Sequence, residues 1–162
     1  MLISPWRECS IKLTATDEYP NPYTNVDVWA EFRHETGLTI RRPAFWDGGR
    51  EWRVRFASPL AEGIGRWRSF ASVDDAGLAG QSGQLVCAPA ATTHRFYIHG
   101  FWRMSPGRRN LVHADDTPAL LAGDTAWALP WRATVEQCRI YAADRQAKGF
   151  SATRLMTVQP DM

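Results

Sequence analysis

The chain has 162 residues, 44% of them apolar, with eight Trp, seven Phe and four Tyr. That suits one domain or one and a fraction around an aromatic-rich core, and it excludes a disordered chain. Charge nearly cancels, 19 Lys plus Arg against 17 Asp plus Glu, and no basic run is longer than the pairs Arg41-Arg42 and Arg108-Arg109, so nucleic acid is not an expected partner.

Residues 6 to about 103 read as strands. In "NVDVWAEFRHE", Val26, Val28, Ala30 and Phe32 share one face, and Asp27, Trp29, Glu31 and Arg33 the other. "REWRVRFAS" sets Trp52, Val54 and Phe56 against Arg53 and Arg55 in the same way. Period-two alternation marks a strand with one wet face. Turn signals separate the runs: "YPNPY", "ETG", "DGG", "SVDDAG" and "GQSG". "WDGGREW" predicts a hairpin, because Gly48 and Gly49 can take positive φ without steric cost. Short strands at this spacing predict an antiparallel, immunoglobulin-like β-sandwich over residues 1–104. "HGFWRM", residues 99–104, predicts the last sandwich strand and the crossing into the second region, with Phe101 and Trp102 as interdomain packing. Trp29 and Trp46 are either core or exposed aromatics able to grip a glycan.

From about residue 108 the rhythm changes. "RRNLVHADDTPALLAGD" predicts two short strands around the turn Asp115 to Pro118. A connection of about eleven residues, Gly123 to Ala133, leads to a helix, where ~2–6 residues are usual. Thr134 and Gln137 have capping-box spacing. Val135, Cys138, Tyr141 and Ala142 fall on one helix face. Asp144 and Lys148 form an i,i+4 pair, and Gly149 is the expected stop. "SATRLMTV" predicts a second strand. Strand, helix and strand in succession predict a parallel βαβ unit, a partial α/β segment over 105–162.

Long loops at the carboxyl ends of parallel strands are where α/β proteins and (β/α)8 barrels place binding groups. In this one, Asp124 and Thr125 offer hydrogen-bonding groups, and Trp127 and Trp131 offer flat faces. A carboxylate beside an indole suits a sugar. Two tryptophans that merely cover the end of a core would look the same.

The stretch "LLAGDTAWALPWRATVEQCRIYAADRQAKGFSATRLM" resembles the opening of the apiosidase-like (β/α)8-barrel glycoside hydrolases, in which "GDTAW" closes the first strand and a helix ending "KGF" leads to the second. Upstream, "NPY", "PAFWDGGREWRVRFASP", "GRWRSF", "GLAGQSGQLVC" and "HGFWR" resemble the β-sandwich that commonly precedes such barrels. The likeness covers nearly the whole chain. It implies a glycosidase with a pocket at the top of an incomplete TIM barrel. Asp124 and Trp127, matching "GDTAW", are implied pocket residues beside the scissile sugar, with Trp131 a weaker third.

Glycoside hydrolysis uses two carboxylates. Asp115 and Asp116 belong to a turn, Glu136 and Asp144 to the outer helix, and Asp161 to the terminus, so Asp124 stands alone. In the family the acid/base and the nucleophile come after later strands. Arg109 to Met162 is far shorter than the ~250 residues of a complete barrel. No catalytic residue is therefore expected. The chain reads as a truncated amino-terminal part of a glycoside hydrolase that acts on polysaccharide, inactive alone. Two alternatives remain: a stand-alone carbohydrate-binding or interaction sandwich, and an inert scaffold fragment. Open βαβ edges predict that this piece either docks its apolar face on the sandwich or is poorly ordered, and that it favours a homodimer.

No cofactor or metal is expected. Cys9, Cys87 and Cys138 are widely spaced without C-x-x-C and read as buried free thiols. His34, His94, His99 and His113 lack ligand spacing. There is no G-x-S-x-G elbow and no glycine-rich phosphate loop. No window approaches ~18 apolar residues, so no membrane partner is expected. "MLISPWRECS" lacks the pattern of a signal peptide, and the chain as it stands reads as cytoplasmic.

Overall fold

The computed structural model describes residues 1–157 and divides the chain into two compact units, Met1–Phe101 and Trp102–Met162. Val158, the last residue of the predicted second strand, and Asp161 lie outside the described residues.

The first unit contains strands β1 (Leu2–Ile3), β2 (Cys9–Thr14), β3 (Val28–His34), β4 (Thr39–Gly48), β5 (Glu51–Phe56), β6 (Gly63–Ala71) and β7 (Ser82–Cys87), with short helices α1 (Pro22–Asn25) and α2 (Arg95–His99). The strands form one seven-stranded sheet in the order β1-β7-β6-β3-β4-β5-β2. β4 joins its two limbs: Thr39 to Pro43 pair with β3, and Ala44 to Gly48 pair with β5. The alternation predicted for β3 and β5 holds, with Val28, Ala30, Phe32, Trp52, Val54 and Phe56 all buried. The sheet folds over so that Phe32 and Phe56 stack at 4.0 Å and 4° between planes. Gly48 and Gly49 turn the β4–β5 hairpin at φ of 105° and 53°, where a Cβ would be strained.

Two expectations are corrected here. The sheet is antiparallel except at one edge, where β1 runs parallel to β7. Met1 holds it there: its ammonium donates to the Gln84 carbonyl at 2.8 Å, and its own carbonyl accepts from Val86 N at 2.9 Å. Residues 99–104 do not make a last strand of this sheet. His99 ends α2, and Gly100 turns the chain with φ 81°. Phe101 packs edge-on against Trp6 within the first unit, at 5.4 Å.

The second unit begins with β8 (Arg103–Met104), β9 (Leu111–Val112) and β10 (Pro118–Ala119), a small antiparallel sheet of order β10-β9-β8. The predicted turn at Asp115 to Pro118 links β9 and β10, with Asp116 at φ 70°. Next along the chain come β11 (Gly123–Thr125), α3 (Leu129–Arg132), α4 (Val135–Ala147) and β12 (Ala152–Arg154). β11 and β12 pair in parallel, so the βαβ unit is present. Strands dominate the chain, and the fold is mainly β. Among the described residues no helix is long and apolar enough to cross a membrane.

Candidate functional site

α4 positions the site. Thr134 Oγ1 accepts from Gln137 N at 3.2 Å, and Thr134 N donates to Gln137 Oε1 at 2.8 Å, closing the capping box. Gly149 leaves the helix at φ 83°, and Lys148 pairs with Asp144 at 2.7 Å. The predicted apolar face is corrected. Val135 is 69% exposed and Ala142 is exposed, while the half-buried side runs through Cys138, Tyr141 and Arg145. Arg145 lies against the Tyr141 and Phe150 rings at 5.3 and 5.5 Å, so its aliphatic stem and flat head take the place of an apolar residue.

The partners of that side place Asp124. Asp124 sits within β11, not in the loop beyond it. Its Oδ1 accepts from Thr125 N at 2.7 Å, and its Oδ2 accepts from Tyr141 OH at 3.0 Å. Arg145 Nε stands 3.1 Å from Oδ2 as an ion pair. The Thr125 amide, then the Tyr141 hydroxyl, outweigh slight desolvation, and with Arg145 they hold the carboxyl below the usual carboxylate range. The carboxylate fastens the first strand to the helix. Held ionised by three partners, it is poorly suited to donate a proton.

Trp127 and Trp131 are 49% and 46% exposed. β11 and β12 are in register, Thr125 opposite Arg154, and both end on the same rim. Ala126 N donates to the Arg154 carbonyl at 3.0 Å, continuing the ladder past Thr125. The next residue, Trp127, therefore meets Arg154, whose guanidinium lies 5.9 Å from the ring centre. Trp131 belongs to α3, a turn of helix inside the predicted loop, and its own neighbour Arg132 lies 5.3 Å from its ring. Trp127 and Arg154 thus meet at the rim, an indole beside a guanidinium that can stack a sugar ring and donate to its oxygens, and Trp131 with Arg132 repeats the pairing in the connection that follows. The structure brings Trp127 to the rim with Arg154 and directs Asp124 back to the helix. Arg154, Tyr141 and Arg145 were missed from sequence. Arg154 was findable as a residue of the predicted second strand, near the same carboxyl end.

Other chemistry is sparse. His34 is engaged locally, Nδ1 with Thr36 Oγ1 at 2.9 Å and Nε2 with the Glu62 carbonyl at 3.2 Å. Cys87 is buried, whereas Cys9 and Cys138 are only half-buried, correcting the expectation for those two. Burial pushes the Cys9 and Cys87 thiols up, away from the reactive thiolate. Among the described residues no group of three or more His, Cys, Asp or Glu could hold a metal ion.

Known proteins divide along the same line. The whole chain is similar in fold to the crystal structure of a candidate glycoside hydrolase from Bacteroides vulgatus ATCC 8482, with TM-score 0.73 and 21% identity. The match covers 95% of this chain and 28% of that one, so the present chain spans little more than a quarter of the neighbour's length. Residues 3–72 match the family described as a domain of unknown function, DUF5060. Residues 105–161, about a third of the chain, match the family described as "Apiosidase-like, catalytic domain". No curated protein matches.

Proposed function

We propose that the chain is the amino-terminal part of an apiosidase-like glycoside hydrolase, an immunoglobulin-like sandwich followed by the first βαβ of a (β/α)8 barrel. Its role is to hold carbohydrate rather than to cut it. The observation that carries this reading is the meeting of Trp127 and Arg154 at the carboxyl ends of adjacent parallel strands, inside the segment that matches the catalytic-domain family. That end of a barrel is where substrate binds. Trp127 is the sugar platform, Trp131 a second one, and Asp124 acts behind them by fixing β11 to α4.

Cleavage is not expected from these residues. An acid and a second carboxylate must flank the bond, ~5–9.5 Å apart. Both carboxylates beside Arg145 are already engaged: Asp124 is tied to Tyr141 and Arg145, and Asp144, 3.5 Å from the same Arg145 Nε, is tied to Lys148. The 162-residue polypeptide should bind neutral oligosaccharides weakly, with dissociation constants on the order of millimolar. Trp127→Ala should lose that binding, and no reducing ends should be released over long incubation. Turnover by the purified chain, or binding indifferent to Trp127→Ala, would refute the reading.

A further inference from the structure

The outward face of the first unit carries a second cluster of chemistry, assembled from β3, β4 and β6. Trp29 on β3 stands opposite Phe70 on β6, and their rings stack at 5.6 Å and 11°. The Arg41 guanidinium lies 4.1 Å from the Trp29 ring centre, and Arg68 lies 6.0 Å from that of Phe70. Cation, indole, phenyl and cation thus form one continuous row across three strands. Further along the same strand pair, Arg33 stands directly opposite Arg66. All four arginines are exposed.

The Arg33–Arg66 pair is costly unless something anionic answers it. Like charges directly opposite across a strand pair destabilise a sheet. Glu31 pairs in register with both Arg41 and Arg68. Even so, among the described residues no carboxylate forms an ion pair with Arg33, Arg41, Arg66 or Arg68. Stacking also prepares the ligand groups. A guanidinium held over an indole, as Arg41 is over Trp29 at 4.1 Å, has N–H donors left to give in the fork that matches a carboxylate. Beside the row, Trp29, Arg41, Pro43, Asp27 and Ser72 line an open depression in which Asp27 can accept from hydroxyls.

We propose that this face binds an acidic polysaccharide whose uronic-acid carboxylates are taken by Arg41 and Arg68, with Arg33 and Arg66 extending the track. The choice of a glycan over another polyanion rests on reading the chain as part of a polysaccharide-acting enzyme. The carboxylate chemistry rests on the arginine geometry. Trp29 is a positioning residue, since it acts by orienting Arg41. The site is separate from the Trp127 rim and takes a different class of sugar.

The test is calorimetric titration of the 162-residue chain with an oligogalacturonate, a neutral xylo-oligosaccharide of equal length, a heparin fragment and a single-stranded RNA. The oligogalacturonate should bind tightest, and more weakly as salt rises. Arg41→Ala and Arg68→Ala should each weaken it at least fivefold, and Arg41→Lys should fail to restore it. Trp127→Ala should leave it unchanged. Trp29→Ala should weaken it at least fivefold as well; should that variant fold poorly, the exposed double change Arg33→Ser with Arg66→Ser serves instead, with the same loss. Absent binding, equal binding of the neutral sugar, heparin or RNA bound as tightly, or loss only in Trp127→Ala would each overturn the proposal. Neutral-sugar binding that depends on Trp127 reports separately on the rim, so either site can fail without the other.

Discussion

Asp75 is only 1% exposed, yet its carboxylate collects six donors. Thr16 gives its backbone N–H at 3.0 Å and its hydroxyl at 2.7 Å, Tyr19 its phenol at 2.8 Å, and Asp17 its backbone N–H at 3.2 Å. Gly77 and Leu78 add backbone N–H groups at 2.8 and 3.2 Å. Burial alone would raise this carboxyl, but the donors from Thr16, Tyr19 and Asp17 overrule it and hold it far below the usual carboxylate range. Desolvation and the same carboxylate push the Tyr19 phenol up to about 12. Asp75→Ala would leave these part-buried donors without their shared acceptor and should cost about 2–3 kcal/mol in urea unfolding at neutral pH. A loss under about 1 kcal/mol would contradict this. Because the folded carboxyl lies below its unfolded value of about 4, its contribution is complete above that pH. It is lost as pH falls toward the folded value, so wild type and Asp75→Ala should converge in acid. From sequence, Asp75 was one of two aspartates in a turn, and nothing in "SVDDAG" separates it from Asp74. Its donors at residues 16–19 come from a distant part of the chain. Asp124 was legible as a candidate only through "GDTAW"; its ties to Tyr141 and Arg145 depend on how α4 lies against β11.

At the scale of elements, the readable parts were those with local causes. β3 and β5 followed from alternation, the β4–β5 turn from paired glycines, and the limits of α4 from Thr134, Gln137 and Gly149. Thr134→Ala should therefore cost about 1 kcal/mol of helix stability. Amide exchange should show it as faster exchange across the first turns of α4, with Thr134→Ser close to wild type; unchanged protection would argue against the cap. The misread elements had no such local cause. "RFYIHGFWRM" is a short aromatic run whose period does not choose between helix and strand, and it became α2 and β8 on either side of Gly100. The face of α4 was misjudged because Arg145 packs as a flat ring partner, whereas periodicity counts it as charge. The row of Arg33, Arg41, Arg66 and Arg68 was invisible because strand pairing, not sequence proximity, gathers it.

For the whole molecule, the second unit ends in a two-stranded parallel sheet whose outer edges have no partner among the described residues. Exposed Leu120, Leu121 and Leu155 flank it. Unpaired edges with apolar flanks favour association. Sedimentation should show mass rising from one copy toward two with concentration; a constant single-copy mass would show that the edges are blunted. The central claim is that the shared rim of β11 and β12 is a sugar site. Its most direct test is an NMR titration of 15N-labelled chain with neutral oligosaccharides, following the Trp indole N–H resonances. The Trp127 resonance should shift progressively, with Trp131 moving more weakly and the Trp52 resonance, from the buried core, still. Shifts confined to Trp29 and Trp46, or none at all at saturating sugar, would contradict it.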